Sequence, residues 1–130
     1  MDKTVAIAFI ILAAAIFCAA IGQIMMKKSI DSLNGKYGVV EILNPLKFLS
    51  ILREAPMLLL ALTIYAVGFM VWIAALSRLE LSTMYPFAAG LGYILVAIFS
   101  FVLLKENFTV YKVAGTAMIF IGTFLLLKSA

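Results

Sequence analysis

"TVAIAFIILAAAIFCAAIGQIMM", Thr4 to Met26, contains no charged residue. A helix rises about 1.5 Å per residue, so roughly 17 to 25 apolar residues cross the hydrocarbon of a bilayer. The stretch therefore reads as one membrane span. Outward from it, comparable apolar runs extend from Met57 to Ser77, Leu81 to Leu104 and Val110 to Leu127, bounded by Lys, Arg or Glu. The expected fold is an all-α integral membrane protein with four transmembrane helices, at about 4–26, 56–77, 82–104 and 110–128, in a single domain over 1–130. Composition agrees. With 66% hydrophobic and 12% charged residues and a mean hydropathy of +1.21, a soluble domain would lack the polar surface to cover itself. The first run exceeds the apolar core of a secretory signal and lacks a small-x-small cleavage site before Lys27, so it is expected to stay as a helix.

Chemistry is sparse. Cys18 is the single cysteine and there is no histidine, so an intrachain disulfide, a cysteine-based metal cluster and a histidine relay are excluded. The spans hold no Asp or Glu well away from their ends. Neither a metal, a cofactor, an enzymatic activity nor a nucleic-acid partner is expected.

The long connection from Lys27 to Ala55 splits in two. Asp31 to Gly38 is polar, whereas "NPLKFLSILREAP" resumes a helical pattern, with Asn44 as cap, Pro45 in the first turn, and Leu46, Leu49, Phe48 and Leu52 on a broad apolar side. It predicts an interfacial helix over about 45–54, edged by Lys47, Arg53 and Glu54, with an ordinary solvated loop as the alternative. Pro56 then opens the second span. Turns at Arg78–Glu80 and Lys105–Thr109 make the later helices antiparallel neighbours, and Thr109 is placed to cap the last one. Lys27, Lys28, Lys36, Lys47, Arg53, Lys105 and Lys112 fall on one side; Lys3, Arg78 and Lys128 fall on the other. By the positive-inside rule the first and third loops are cytoplasmic and both termini lie outside.

Small residues recur every seven positions: Ala8, Ala15 and Gly22; Ala61, Gly68 and Ala75; Gly115 and Gly122, each followed by a threonine. Lipid supplies little hydrophobic force between helices, so small-residue seams let backbones approach and make dispersion contacts. Four such helices form a thin bundle, which makes a dimer the expected unit. The fourth span is the candidate dimer contact, with packing inside the protomer as the alternative.

The third span opens "LSTMYPFAAGLGY", Leu81 to Tyr93. Pro86 removes a backbone donor and disfavours α conformation at Tyr85, so the helix is expected to begin or kink there. Gly90 and Gly92 admit a close neighbour or a bend. Transporters place substrate sites at helices softened in this way; a first-turn proline with packing glycines is the plainer reading. Trp72, mid-span, Tyr85 and Pro86 are substrate-binding candidates, although Trp72 and Tyr85, with Tyr65 and Tyr93, also fit packing or interface anchoring. In the first helix Ala19, Gln23 and Lys27 are spaced by four and share a face. Lys27 either snorkels to the interface or faces inward. Gln23, one turn deeper, needs a hydrogen-bond partner in the bundle or on a substrate.

"GQIMMKK", followed by "WIAALSRLELSTMYPFAAGLGYILVAIFSFVLLKENFTVYKVAGTAMIFIGTFLLL", resembles the EamA-like branch of the drug/metabolite transporter superfamily. Within it the chain is most similar to the small four-helix undecaprenyl-phosphate aminoarabinose flippase subunits. In that family a G-Q pair precedes a first-helix lysine, L-x-L-S-x-x-Y-P opens the third helix and a glutamate closes it. The matching positions are Gly22, Gln23 and Lys27; Leu79, Leu81, Ser82, Tyr85 and Pro86; and Glu106. The resemblance implies a bacterial or archaeal inner-membrane flippase subunit that translocates a polyprenyl-phosphate-linked sugar, as in lipopolysaccharide modification. It also implies a homodimer, or a heterodimer with a paralogous four-helix subunit. On that reading Lys27, with Lys28 at the membrane edge, holds the lipid phosphate and Gln23 donates to it, while Arg78 receives it on the opposite side. Glu106 pairs with Lys27 when the site is empty, or engages an amino-sugar, or forms an ordinary salt bridge with Lys105 or Lys112.

The small multidrug resistance family resembles the chain more distantly. Its members are dimers in which a first-helix glutamate exchanges protons for cationic drugs. Aligning the glycine and lysine of that helix on Gly22 and Lys27 puts the glutamate at Ala19, and the family's third-helix tryptophan falls on Ala88. Without a membrane-embedded carboxylate there is neither a cation counter-ion nor a proton carrier, so drug/proton antiport is not expected. Two alternatives to lipid flipping stay open: export of a small metabolite or drug through the same dimer, and a non-transporting subunit that docks a glycosyltransferase.

Overall fold

The structure, a computed structural model, describes residues 3–129. Helix α1 (Lys3–Asp31) runs past the expected end at 26. Lys27 Nζ meets Asp31 Oδ1 at 2.7 Å one turn on, and Ser29 Oγ donates to the Met25 carbonyl at 2.8 Å. Both contacts extend helical geometry into the polar segment. The chain then turns through Asn34 and Gly35 at φ 50 and 71, the left-handed region that glycine occupies without steric cost. A short helix the sequence did not announce, α2 (Val39–Ile42), precedes α3 (Pro45–Glu54). The Asn44 side chain caps α3, accepting from the amides of Leu46 at 3.0 Å and Lys47 at 3.4 Å.

Only Ala55 separates α3 from α4 (Pro56–Leu76). Helix α5 (Leu81–Phe99) contains Pro86 instead of starting or breaking there. Its first turn is set by the Glu80 carbonyl, which accepts from Thr83 and Met84, so in the second turn the proline forfeits only one ladder bond. The helix continues into a π-helical turn, Ser100–Leu104, that ends on Lys105 at φ 55. Helix α6 (Val110–Ser129) is capped by Thr109, whose hydroxyl accepts from the Lys112 amide at 3.3 Å. Among the described residues three helices are long and apolar enough to cross a membrane: α1, α4, and α5 with its π turn. Val110–Leu126 adds a shorter apolar stretch.

The heptad seams of the first and second spans are the two sides of one contact. Ala8, Ala15 and Gly22 of α1 and Ala61, Gly68 and Ala75 of α4 are all buried. A methyl group on Gly22 would stand 3.1 Å from the Ala61 carbonyl, and one on Gly68 3.0 Å from Cys18 Cβ. Helix α5 lies parallel to α1, held by edge-to-face pairs of Phe9 with Phe87 at 5.5 Å and Phe17 with Phe99 at 6.0 Å. Leu12, Ile16, Ala75, Met84 and Ala88 form the core between them. A second core of Ile51, Ala55 and Leu58 fastens α3 to Met26, Ile30 and Leu33 at the end of α1.

Helix α6 packs on α5, where Gly90 admits the Thr123 side chain. A methyl group on Gly115 or Gly122 would meet no described residue of another element within 4 Å.

Candidate functional site

Between the two cores the small residues of α1 and α5 leave a cavity of about 520 Å³, walled by α1, α4 and α5. That size suits a small molecule or a headgroup. From α1 come Ala15, Ala19 and Gln23, which the spacing of four puts on one face; α4 supplies Tyr65, Gly68 and Trp72, and α5 supplies Tyr85, Ala88, Gly92 and Tyr93. The indole of Trp72 and the ring of Tyr85 meet edge to face at 6.2 Å. The cavity is open to the protein surface, since Gln23 is exposed and Tyr85 is 62% exposed. Among the described residues no lysine, arginine, aspartate or glutamate lines it.

The sequence-predicted residues divide. Gln23, Trp72 and Tyr85 line the cavity, and Gly68 and Gly92 give it room; Lys27, Lys28, Arg78, Pro86 and Glu106 do not line it. Lys27 is engaged by Asp31, whereas Lys28, expected with it at the lipid phosphate, is exposed with no ion-pair partner among the described residues. Arg78 is likewise exposed and unpaired, beyond the Trp72 end. Glu106 forms no salt bridge with Lys105 or Lys112. It acts on Lys27 only as a weaker Coulomb partner behind Asp31, and Lys112 Nζ instead donates to the Asn107 carbonyl at 3.2 Å. Ala19 and Ala88, where the antiporter pattern has its acid and its tryptophan, both face the cavity.

Tyr65, Phe69 and Tyr93 were not singled out as cavity residues. The signal for them is periodic. Tyr65 precedes Trp72 by seven, and Tyr85, Ala89, Gly92, Tyr93 and Val96 follow a helical stripe. Among the described residues no cluster of three or more His, Cys, Asp or Glu is placed to hold a metal ion.

At the Lys27 end the connection folds into a hairpin held by charge. Lys36 Nζ meets Glu54 Oε2 at 2.7 Å and Tyr37 Oη donates to Glu54 Oε1 at 2.9 Å. These two bonds, that of Lys36 first, hold the Glu54 carboxyl below its ordinary range. The Gly38 amide at 2.8 Å, then Lys47 at 3.0 Å, do the same for Glu41. The outer side is apolar: Val40, Leu43 and Leu46 are 82%, 76% and 82% exposed.

A family model described as Small Multidrug Resistance protein matches residues 38–121. The probable 4-amino-4-deoxy-L-arabinose-phosphoundecaprenol flippase subunit ArnF of Enterobacter sp. (strain 638) is 36% identical over 105 residues, covering 79% of this chain and 80% of that protein. No solved structure matches the chain.

Proposed function

Since this chain belongs to the small multidrug resistance protein family, we propose that it is a transporter of the flippase type, one four-helix half of a dimer. Its cargo is a polyprenyl-phosphate-linked amino-sugar carried across the inner membrane. The observation that carries this reading is the cavity itself, which has an amide, phenols and an indole on its walls and alanine at the position of the antiporter acid. Such a lining suits a polar, hydroxylated headgroup, gives its amine aromatic faces, and offers no carboxylate to carry a coupling proton. The similarity to a flippase subunit supports the same cargo.

In this reading the lipid tail stays in the bilayer beside the opening. Lys28 and Arg78, without an ion-pair partner among the described residues, sit beyond opposite ends of the cavity and meet the phosphate on entry and exit. The hairpin lies on the cytoplasmic surface with Val40, Leu43 and Leu46 in the acyl boundary, and both termini lie outside. The dimer forms through α6, whose Gly115 and Gly122 have open space before them.

Reconstitution tests the function. Vesicles containing the protein should expose a lipid-linked amino-sugar on the opposite leaflet faster than empty vesicles, and Gln23→Leu should slow that exposure by about tenfold, the worth of roughly one hydrogen bond. Equal rates with and without protein, in preparations of intact helicity, would contradict it.

A further inference from the structure

Polar groups along the cavity are unusually idle. The side-chain amide of Gln23, the hydroxyls of Tyr65, Tyr85 and Tyr93 and the indole N–H of Trp72 have no hydrogen-bond partner among the described residues, although all five line the same cavity. None of these polar atoms is sealed inside the protein, so a ligand in the cavity can meet them without breaking a protein contact. These groups are also ordered along the helix axes. Gly22 packs against the backbone of Tyr65, which puts Gln23 and Tyr65 at one end. Trp72 and Tyr85, in ring contact, are at the other. Tyr93 lies between them, two turns along α5 from Tyr85, and the seven residues from Tyr65 to Trp72 span about 10 Å. The surfaces between are Ala19, Gly68, Ala88 and Gly92, without bulk or charge.

Resting on the flippase reading, we propose that this ladder recognises the sugar ring alone. The ring's hydroxyl and amine groups satisfy the five idle groups in turn, its apolar face slides against Trp72 and Tyr85, and the phosphate is engaged only at the ends. Three arguments separate the sugar from the phosphate. A phosphate carries charge that needs a cation or several amide donors, and the cavity walls hold no cation. Aromatic faces attract C–H edges and cationic amines but not anions. The unpaired cations, Lys28 and Arg78, lie outside the lining.

Trp72 is the chain's single tryptophan, so its emission reports the cavity without labelling. The test titrates the full chain in lipid nanodiscs with a ten-carbon isoprenyl phosphate, with and without a 4-amino-pentose attached. The sugar-bearing compound should shift the emission saturably, and Gln23→Leu should weaken that response by about tenfold, one hydrogen bond's worth, while helicity is unchanged. The sugar-free phosphate should leave the emission where it was. A sugar-free phosphate that shifts Trp72 as far as the sugar-bearing one, or a sugar-bearing one that shifts nothing, overturns the proposal. The flippase reading fails separately: if lipid-linked sugar is not translocated in vesicles while the sugar-dependent shift persists, the ladder stands as a binding site and only the transport reading is lost.

Discussion

Gly68 and Lys28 show what single residues decide here. A β-carbon at Gly68 would press on Cys18 Cβ at 3.0 Å and on the Ala15 carbonyl at 3.2 Å, so Gly68→Leu should destabilise the α1–α4 pair by about 1–3 kcal/mol, as overpacking does. Loss of helicity at lower denaturing-detergent fractions would register it. The lysines make a contrast. Lys27 already has Asp31 at 2.7 Å, while Lys28 is free to meet an anion. Lys28→Met should therefore weaken binding of a polyprenyl phosphate by about 1 kcal/mol, roughly fivefold, and Lys27→Met by less, measured by flotation with vesicles carrying the lipid. Equal losses would show that the Lys27–Asp31 pair opens in the loaded protein. Residue-level signals in the sequence were uneven. The face shared by Ala19 and Gln23 was legible because helical spacing of four is strict. The engagement of Lys27 was not, because Asp31 was read as the start of a loop and not as the next turn of the helix.

At the scale of elements, runs without charge located the spans because hydrocarbon tolerates nothing else over that length, and side-chain caps placed Asn44 and Thr109 correctly. What composition does not mark stayed hidden. The π turn at Ser100–Leu104 is a shift of hydrogen-bond partner by one residue, and the helix starts ahead of Pro86 because the Glu80 carbonyl already accepts from Thr83 and Met84. The hairpin gives a prediction of its own. Glu54 is held below its ordinary pKa by Lys36 and Tyr37, so its contribution is present above the ordinary carboxyl pKa and is lost as pH falls through the lowered folded value. Protection factors in 36–44, corrected for the intrinsic pH dependence of amide exchange, should fall as the pH drops through the lowered Glu54 pKa. Glu54→Gln should show the low protection factors at neutral pH as well.

For the whole molecule, the thinness of the bundle and the open glycines of α6 point the same way. Gly122→Leu should leave the protomer's helicity intact, since nothing within 4 Å opposes a side chain there, yet lower the dimer fraction in cross-linking of membranes; an unchanged dimer fraction would remove α6 from the interface. The cavity was only half legible from sequence, because it is assembled from three helices and its members become neighbours only when the α1–α4 seam closes. Gln23, Trp72 and Tyr85 were expected at one substrate path together with Lys27 and Pro86, and the fold brings the first three into one cavity while leaving the other two outside its lining. The central claim is that the cavity works without a carboxylate, as an uncharged slot for a sugar. The most direct measurement uses one vesicle preparation for two readouts: exposure of a lipid-linked amino-sugar without any gradient, and uptake of a lipophilic cation under an imposed pH gradient. The account predicts accelerated sugar exposure and no gradient-driven cation uptake; gradient-driven cation uptake without accelerated sugar exposure would contradict it.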